Sequence, residues 1–259
     1  MDKYHIDIQI CFQVNEGFHH RTPEWNPYVG NDYVAKIQRM FPGRVIGLTT
    51  INPWLQPPSV YGDESKHAGK RFDLIKVNPA LEEVERAIGE LGLWGLKMHP
   101  LEHNYAINNP KIIFPIMDKL VEMQEKTGRK LLVVVHAMGD SLNNSPEALA
   151  DVAKRYPQLL FIMAHSGFVW AYGTVAHMLV DIPNVMFDLT TCPQKSVVYE
   201  AYKKVGAERF TAGSDAPFAS PAVKEAIVRD LVCNEEEAEL VLGGNLARYL
   251  GIPPIEEQE

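Results

Sequence analysis

Cysteine is scarce: Cys11, Cys192 and Cys233 are the only three in 259 residues, far apart and without a C-x-x-C pair. That spacing offers no disulfide framework and makes a reducing cytosol the expected setting. Long apolar runs are missing too. Nothing approaches the roughly 20 residues that span a bilayer, and the opening "MDKYHIDIQI" lacks the apolar stretch of a signal peptide. A soluble, cytoplasmic protein without a membrane partner is expected. Positive charge is in deficit, with a formal net charge of −8, which argues against nucleic acid as a partner. A local pocket can still differ from that average and take a small anion. No G-x-G-x-x-G follows a strand and no G-x-x-x-x-G-K-[ST] occurs, so an open doubly wound nucleotide-binding sheet loses its usual support. "VLGGNLARYLG" sits late in a helical stretch and reads as a turn and closing helix. Low-complexity segments and short-period repeats are absent.

What the chain has is alternation. Hydrophobic residues make up 46% of it, enough for a large core. Short runs rich in Val, Ile, Leu and Phe read as buried strands over 6–13, 44–53, 93–100, 130–137, 158–167, 184–191 and 209–215. Segments of 3.6-residue period separate them. The pattern predicts helices over 31–42 with Asn31 as N-cap, 78–92, 114–128, 145–157 with Ser145 as N-cap and Pro146 at N1, 174–183, 196–206, 220–230 and 234–251. Repeated strand–helix alternation implies right-handed parallel βαβ units in series, in one domain over 1–259. The long irregular stretch 54–77 reads as a functional loop over one end of the fold.

In a parallel α/β barrel the active site lies at the C-terminal ends of the strands. Several predicted strands finish there on residues capable of chemistry: "LKMH" gives Lys97 and His99, "VVVHA" gives His136, "MAHSG" gives His165 and "GSD" gives Asp215. Each has an ordinary reading. A histidine after valines can be a core histidine bonded to backbone, and an aspartate before Pro217 can cap the next helix. Three ligand-type residues at three strand ends point instead to a divalent metal, because imidazole and carboxylate are preferred zinc ligands and a bound ion makes hydroxide available near neutral pH. Lys97 reads equally as a contact for a substrate carboxylate or as a lysine paired with an acid. His99, two residues on, can point the same way. His103, His19, His20 and His67 read as solvated loop residues.

The stretches "NDYVAKIQRMFPGRVIGLTTINP", "GLWGLKMHP", "LVVVHA", "PEALADVAKRYPQLLFIMAHSG", "NVMFDLTT", "GAERFTAGSDAPF" and "LVLGGNLARYLGI" together resemble amidohydrolase family 2. That group includes aminocarboxymuconate-semialdehyde decarboxylase and related aromatic-acid decarboxylases. The resemblance covers residues from about 31 to 251. It implies a distorted TIM-like (β/α) barrel with a mononuclear zinc-type site. By position, His136 matches the metal-ligand histidine and Asp215 the metal-ligand aspartate. His165 matches a histidine beside the metal-bound water or the reacting substrate, and Lys97 and His99 match a substrate-contact motif. The chain departs from the family in having no H-x-H, the metal-binding pair of the family's first strand. Seven strands rather than eight are recognisable, so the first βα unit is expected to be missing. The resemblance also implies a homodimer.

These readings predict a metal-dependent hydrolase. Zinc, or manganese, would be held by His136, Asp215 and His165. Asp215 and His165 would act as the catalytic groups, and Lys97 and His99 would bind a small lactone, amide or cyclic ester. A zinc-dependent non-oxidative decarboxylase of a small carboxylic acid needs the same ligands and is the alternative. A catalytically impaired homologue with an incomplete metal site is the second.

Overall fold

The computed structural model describes residues 1–13, 27–53, 78–138, 140–167, 179–192 and 195–253. The loop 54–77, His19, His20, His67 and the start of the predicted helix 174–183 lie outside the described residues. The chain divides into two compact units, Met1–Val133 and Val134–Glu259.

The first unit alternates strands and helices as the periodicity predicts. Strands β1 (Gln9–Phe12), β2 (Val45–Thr50) and β3 (Gly95–Met98) lie in chain order. They are parallel, with Ile10 opposite Ile46 and Thr50 opposite Lys97. Every residue of β2 and β3 is buried, the polar Thr49, Thr50 and Lys97 included, so both faces of these strands are covered. Strand β4 (Leu132–His136) starts in this unit, where Leu132 N–H donates to the Trp94 carbonyl. Gly95 has φ +145°, and a Cβ there would lie 2.0 Å from the Leu132 carbonyl oxygen, so only glycine fits.

Helices α1 (Pro27–Met40), α2 (Asn78–Glu85) and α3 (Ile113–Thr127) connect these strands. One expectation needs correction: α1 begins at Pro27, not after an Asn31 cap. Asn31 is buried within the helix, where its amide donates to Glu83 Oε1 at 2.7 Å and accepts from Thr50 N–H at 3.0 Å. These tertiary bonds take the place of the local cap. The 78–92 segment is not one regular helix either, since α2 passes into a π turn over Arg86–Glu90. His103 is also unlike its solvated reading. It is buried, because the loop folds back through His103 N–H to the His99 carbonyl and stacks its ring on Tyr105.

The second unit opens with the end of β4, from Val134 to His136. It continues through α4 (Pro146–Arg155), β5 (Leu160–Ala164), β6 (Val185–Asp188), α5 (Lys195–Val205) and β7 (Phe210–Thr211). Ser145 Oγ accepts from Ala148 N–H and Pro146 follows, the predicted cap. Strands β5, β6 and β7 are parallel, with Phe161 opposite Val185 and Phe187 opposite Phe210. The Phe187 and Phe210 rings meet at 5.2 Å and both are fully buried. Burial of each contributes about 1.5–3 kcal/mol.

Strand β7 is only two residues long, against the predicted 209–215. The chain leaves the ladder after Thr211. Three short helices close the unit: α6 (Pro221–Leu231), α7 (Glu235–Glu239) and α8 (Asn245–Leu250). Ser220, not Asp215, caps α6. The predicted continuous helix 234–251 is interrupted by a π turn over Leu240–Gly244. Among the described residues, no helix is long and apolar enough to cross a membrane.

Candidate functional site

The second unit gathers polar side chains where its strands end. β4 finishes on His136, β5 is followed at once by His165, β6 finishes on Asp188, and Asp215 lies four residues beyond β7. Four non-glycine residues at these exits hold left-handed backbone: His165 at φ +65°, Ser166 at +47°, Thr191 at +49° and Asp215 at +55°. Each costs on the order of 1 kcal/mol, and such strain concentrates where function demands a particular geometry.

His136 and His165 are both buried and meet edge to face, with ring centroids 5.0 Å apart and planes at 68°. Each ring is held by a different group. His165 Nδ1 lies 3.0 Å from the Thr190 carbonyl oxygen and 3.0 Å from Thr191 Oγ1. A carbonyl only accepts, so Nδ1 carries the proton, and the neutral ring has its lone pair on Nε2. The backbone of His165 is pinned too, since its N–H donates to Asp188 Oδ2 at 3.1 Å. The other Asp188 oxygen accepts from Thr190 Oγ1 at 2.8 Å, and its carbonyl accepts from Ser166 Oγ at 2.8 Å. Asp188 therefore ties the exits of β5 and β6 together.

On His136, Nε2 lies 2.9 Å from Asp140 Oδ2, while Asp140 Oδ1 accepts from Asn144 Nδ2 at 3.0 Å. Burial pushes the Asp140 carboxyl up, but the hydrogen bonds from His136 and Asn144 outweigh it and hold the group down at about 2.

Asp215 enters through its backbone. Its carbonyl accepts from Phe218 N–H at 2.8 Å and Ala219 N–H at 3.1 Å, closing a turn. The segment that carries it runs against Thr190: a Cβ on Gly213 would lie 2.5 Å from Thr190 Oγ1. Thr190 is the residue whose carbonyl holds His165. The structure thus brings His136 and His165 together and carries the Asp215 segment against the same hydrogen-bonded frame. Among the described residues, no three His, Cys, Asp or Glu side chains are grouped to hold an ion.

In the first unit, Lys97 is buried within β3 with Nζ 4.9 Å from the centre of the Phe12 ring, a cation–π contact. His99 lies beyond β3, and its Nδ1 accepts from Glu102 N–H at 3.2 Å. Neighbouring Tyr105 is fully buried, which pushes its hydroxyl far above the usual range.

Asp140 and Asp188 are the members of the cluster that sequence reasoning missed. A signal existed for Asp188: a lone carboxylate inside the apolar run "NVMFDLTT" needs a reason to be buried. For Asp140 the only hint was its place four residues after a strand-end histidine.

The donors present fit a borderline divalent ion in kind. His165 is a nitrogen donor whose Nδ1 is fixed on a backbone carbonyl. His136 and the carboxylates add nitrogen and oxygen donors of the type such ions accept.

Comparison with known proteins matches residues 31–252 to the amidohydrolase family model (Amidohydro_2). No curated protein matches. Among solved structures, 5-carboxyvanillate decarboxylase from Novosphingobium aromaticivorans was crystallised with manganese and 4-hydroxy-3-methoxy-5-nitrobenzoic acid. It is similar at a TM-score of 0.68 and 16% identity, over 97% of this chain and 78% of that one. The 5-carboxyvanillate decarboxylase from Sphingomonas paucimobilis gives 0.65 and 18%, over 98% and 81%. The 2,6-dihydroxybenzoate decarboxylase from Rhizobium gives 0.64 and 14%, over 97% and 86%. At these identities the likeness carries the fold, a TIM-like α/β barrel. With its family model spanning residues 31–252, the chain belongs to the amidohydrolase family.

Proposed function

We propose that the chain is a non-oxidative decarboxylase of a small carboxylic acid, working at the His136–His165 cluster. The observation that carries this reading is the fixed orientation of His165. Its Nδ1–H is held by Thr190 and its backbone by Asp188, so Nε2 is the atom through which the ring takes up and gives a proton. The solved structures similar in fold include decarboxylases of aromatic acids, and their substrates define the first compounds to try.

The reaction balances as R–COO⁻ plus H⁺ giving R–H plus CO₂. The bond between carbon and the carboxylate breaks, and its electron pair stays on carbon. A proton from Nε2 of the imidazolium form of His165 fills that valence, and water then restores the proton to the ring. When bound, a divalent ion, zinc or manganese, supplies positive charge against which substrate oxygens are oriented. His136 and Asp215 are the residues proposed to hold it. Asp188, Thr190 and the left-handed backbone at His165 keep the proton-bearing nitrogen in place without reorganisation during the step.

A second reading, hydrolysis of a lactone, amide or cyclic ester, draws on the same tautomer. The Nε2 lone pair of His165 can take a proton from water as a general base. Product analysis separates the two. The chain supplied with manganese or zinc is incubated with 5-carboxyvanillate, with 2,6-dihydroxybenzoate and with a panel of small lactones. Release of CO₂ from an acid supports the decarboxylase. Ring opening of a lactone with no CO₂ from any acid overturns it.

A further inference from the structure

Helix α1, in the first unit, buries one side and leaves a patterned apolar side in solvent. Asn31, Val34 and Ala35 are buried, and Gln38 donates to the Gly92 carbonyl at 3.1 Å. Away from these stand Val29, Tyr33 and Met40, which are 56%, 61% and 56% exposed, and Lys36, also exposed. At about 100° per residue, Val29, Tyr33, Lys36 and Met40 fall within an arc of about 60°, opposite the buried residues. Their spacing of four, three and four is that of a heptad seam, the strip one helix presents to another. Phe41, the next residue, is 50% exposed and prolongs the strip past the helix end. Among the described residues, no other helix carries more than one exposed large apolar side chain.

The local charge is opposite in sign to that of the whole chain. The chain carries −8, yet Lys36 stands in the seam and Arg39 beside it, both exposed and neither in an ion pair among the described residues. The acid on the same flank, Asp32, is already neutralised by Arg86 at 2.6 Å, and Arg86 is anchored in turn on the buried Glu83 at 2.7 Å. The strip is therefore apolar along its centre and net positive.

We propose that this face of α1 docks an acidic amphipathic helix of a partner protein. Such a helix has an apolar seam to set against Val29, Tyr33 and Met40, and flanking Glu or Asp residues to meet Lys36 and Arg39. Charge complementarity selects this occupant over two others. Pairing α1 with α1 of a second copy puts two Lys36 ammonium groups into one seam with no acid between them. An anionic membrane surface is disfavoured by the net charge of the chain. At 14 residues, α1 is about 21 Å long, so a single helix pair here belongs with small, transient interfaces rather than permanent ones.

The test uses the full-length protein and two fluorescein-labelled three-heptad peptides, both with Leu at a and d. One carries Glu at e and g, the other Lys. Anisotropy is expected to show the Glu peptide saturating with a Kd below about 1 mM and binding at least about tenfold tighter than the Lys peptide. That binding weakens as salt rises, because the paired charges are exposed. Lys36→Glu combined with Arg39→Glu inverts the preference between the peptides, a result that misfolding does not produce. Tyr33→Ser weakens both peptides, with an unchanged urea midpoint. Equal binding of the two peptides, no saturation by the Glu peptide, or a charge-swapped variant with the wild-type preference overturns the proposal. Light scattering that shows a dimer converted to monomer by Tyr33→Ser assigns the face to a second copy and overturns it as well. So does binding to phosphatidylserine vesicles, lost in the charge-swapped variant, without binding of the Glu peptide. No turnover is read, so these outcomes are independent of the decarboxylase reading.

Discussion

Thr190 touches both sides of the cluster: its carbonyl accepts from His165 Nδ1, and its hydroxyl donates to Asp188, whose other oxygen holds the His165 backbone. One histidine is thus fixed at ring and backbone by residues at the end of a single strand, β6. Its left-handed backbone is kept in place by these partners.

Asp188→Ala removes the acceptor from two buried donors, the His165 N–H and the Thr190 hydroxyl. Leaving a buried donor unsatisfied costs about 1–3 kcal/mol each. A loss of about 2–4 kcal/mol in urea-unfolding free energy is expected, together with a fall in kcat larger than any rise in KM. A variant with wild-type stability would show that Asp188 does not hold this turn.

Gly213→Ala places a Cβ 2.5 Å from Thr190 Oγ1, and such overpacking costs about 1–3 kcal/mol. Thr190→Ala in the same chain makes room and recovers part of that loss. A double-mutant cycle is expected to give a coupling above about 0.5 kcal/mol. Strict additivity would mean that the β7 exit does not press on Thr190.

Much of this arrangement was legible beforehand, and the failures have physical causes. Strands β4 and β5 announce themselves as apolar runs because both their faces are buried. His136 and His165 stood out because imidazoles end those runs. Strand β7 ends at Thr211, ahead of Gly213 and Ser214, the breakers that mark where pairing stops in "FTAGSD". Asn31 has the residue type of a local cap, and a long-range bond to Glu83, 52 residues away, decides its place instead. Asp140 was missed for the same kind of reason. Its contact with His136 depends on a turn whose geometry is set by Asn144 and Ser141, and no periodicity records that.

Acid should weaken the second unit through Asp140. The carboxyl sits at about 2 in the fold against an ordinary 3.8, so the unfolded chain binds its proton first as pH falls. The stability it contributes is complete above the ordinary value and is lost as pH drops through the folded one. Urea midpoints measured from pH 5 to pH 2 should fall more steeply for wild type than for Asp140→Asn. Parallel curves for the two proteins would rule out this linkage.

Solvent-isotope incorporation distinguishes protonation of carbon from attack by water. The manganese- or zinc-supplied chain is run in D₂O with an accepted carboxylic acid, and the product is weighed by mass spectrometry. CO₂ release is expected with one deuterium on the carbon that lost it, abolished in His165→Ala. A product that keeps its carboxylate and gains the elements of water would contradict it.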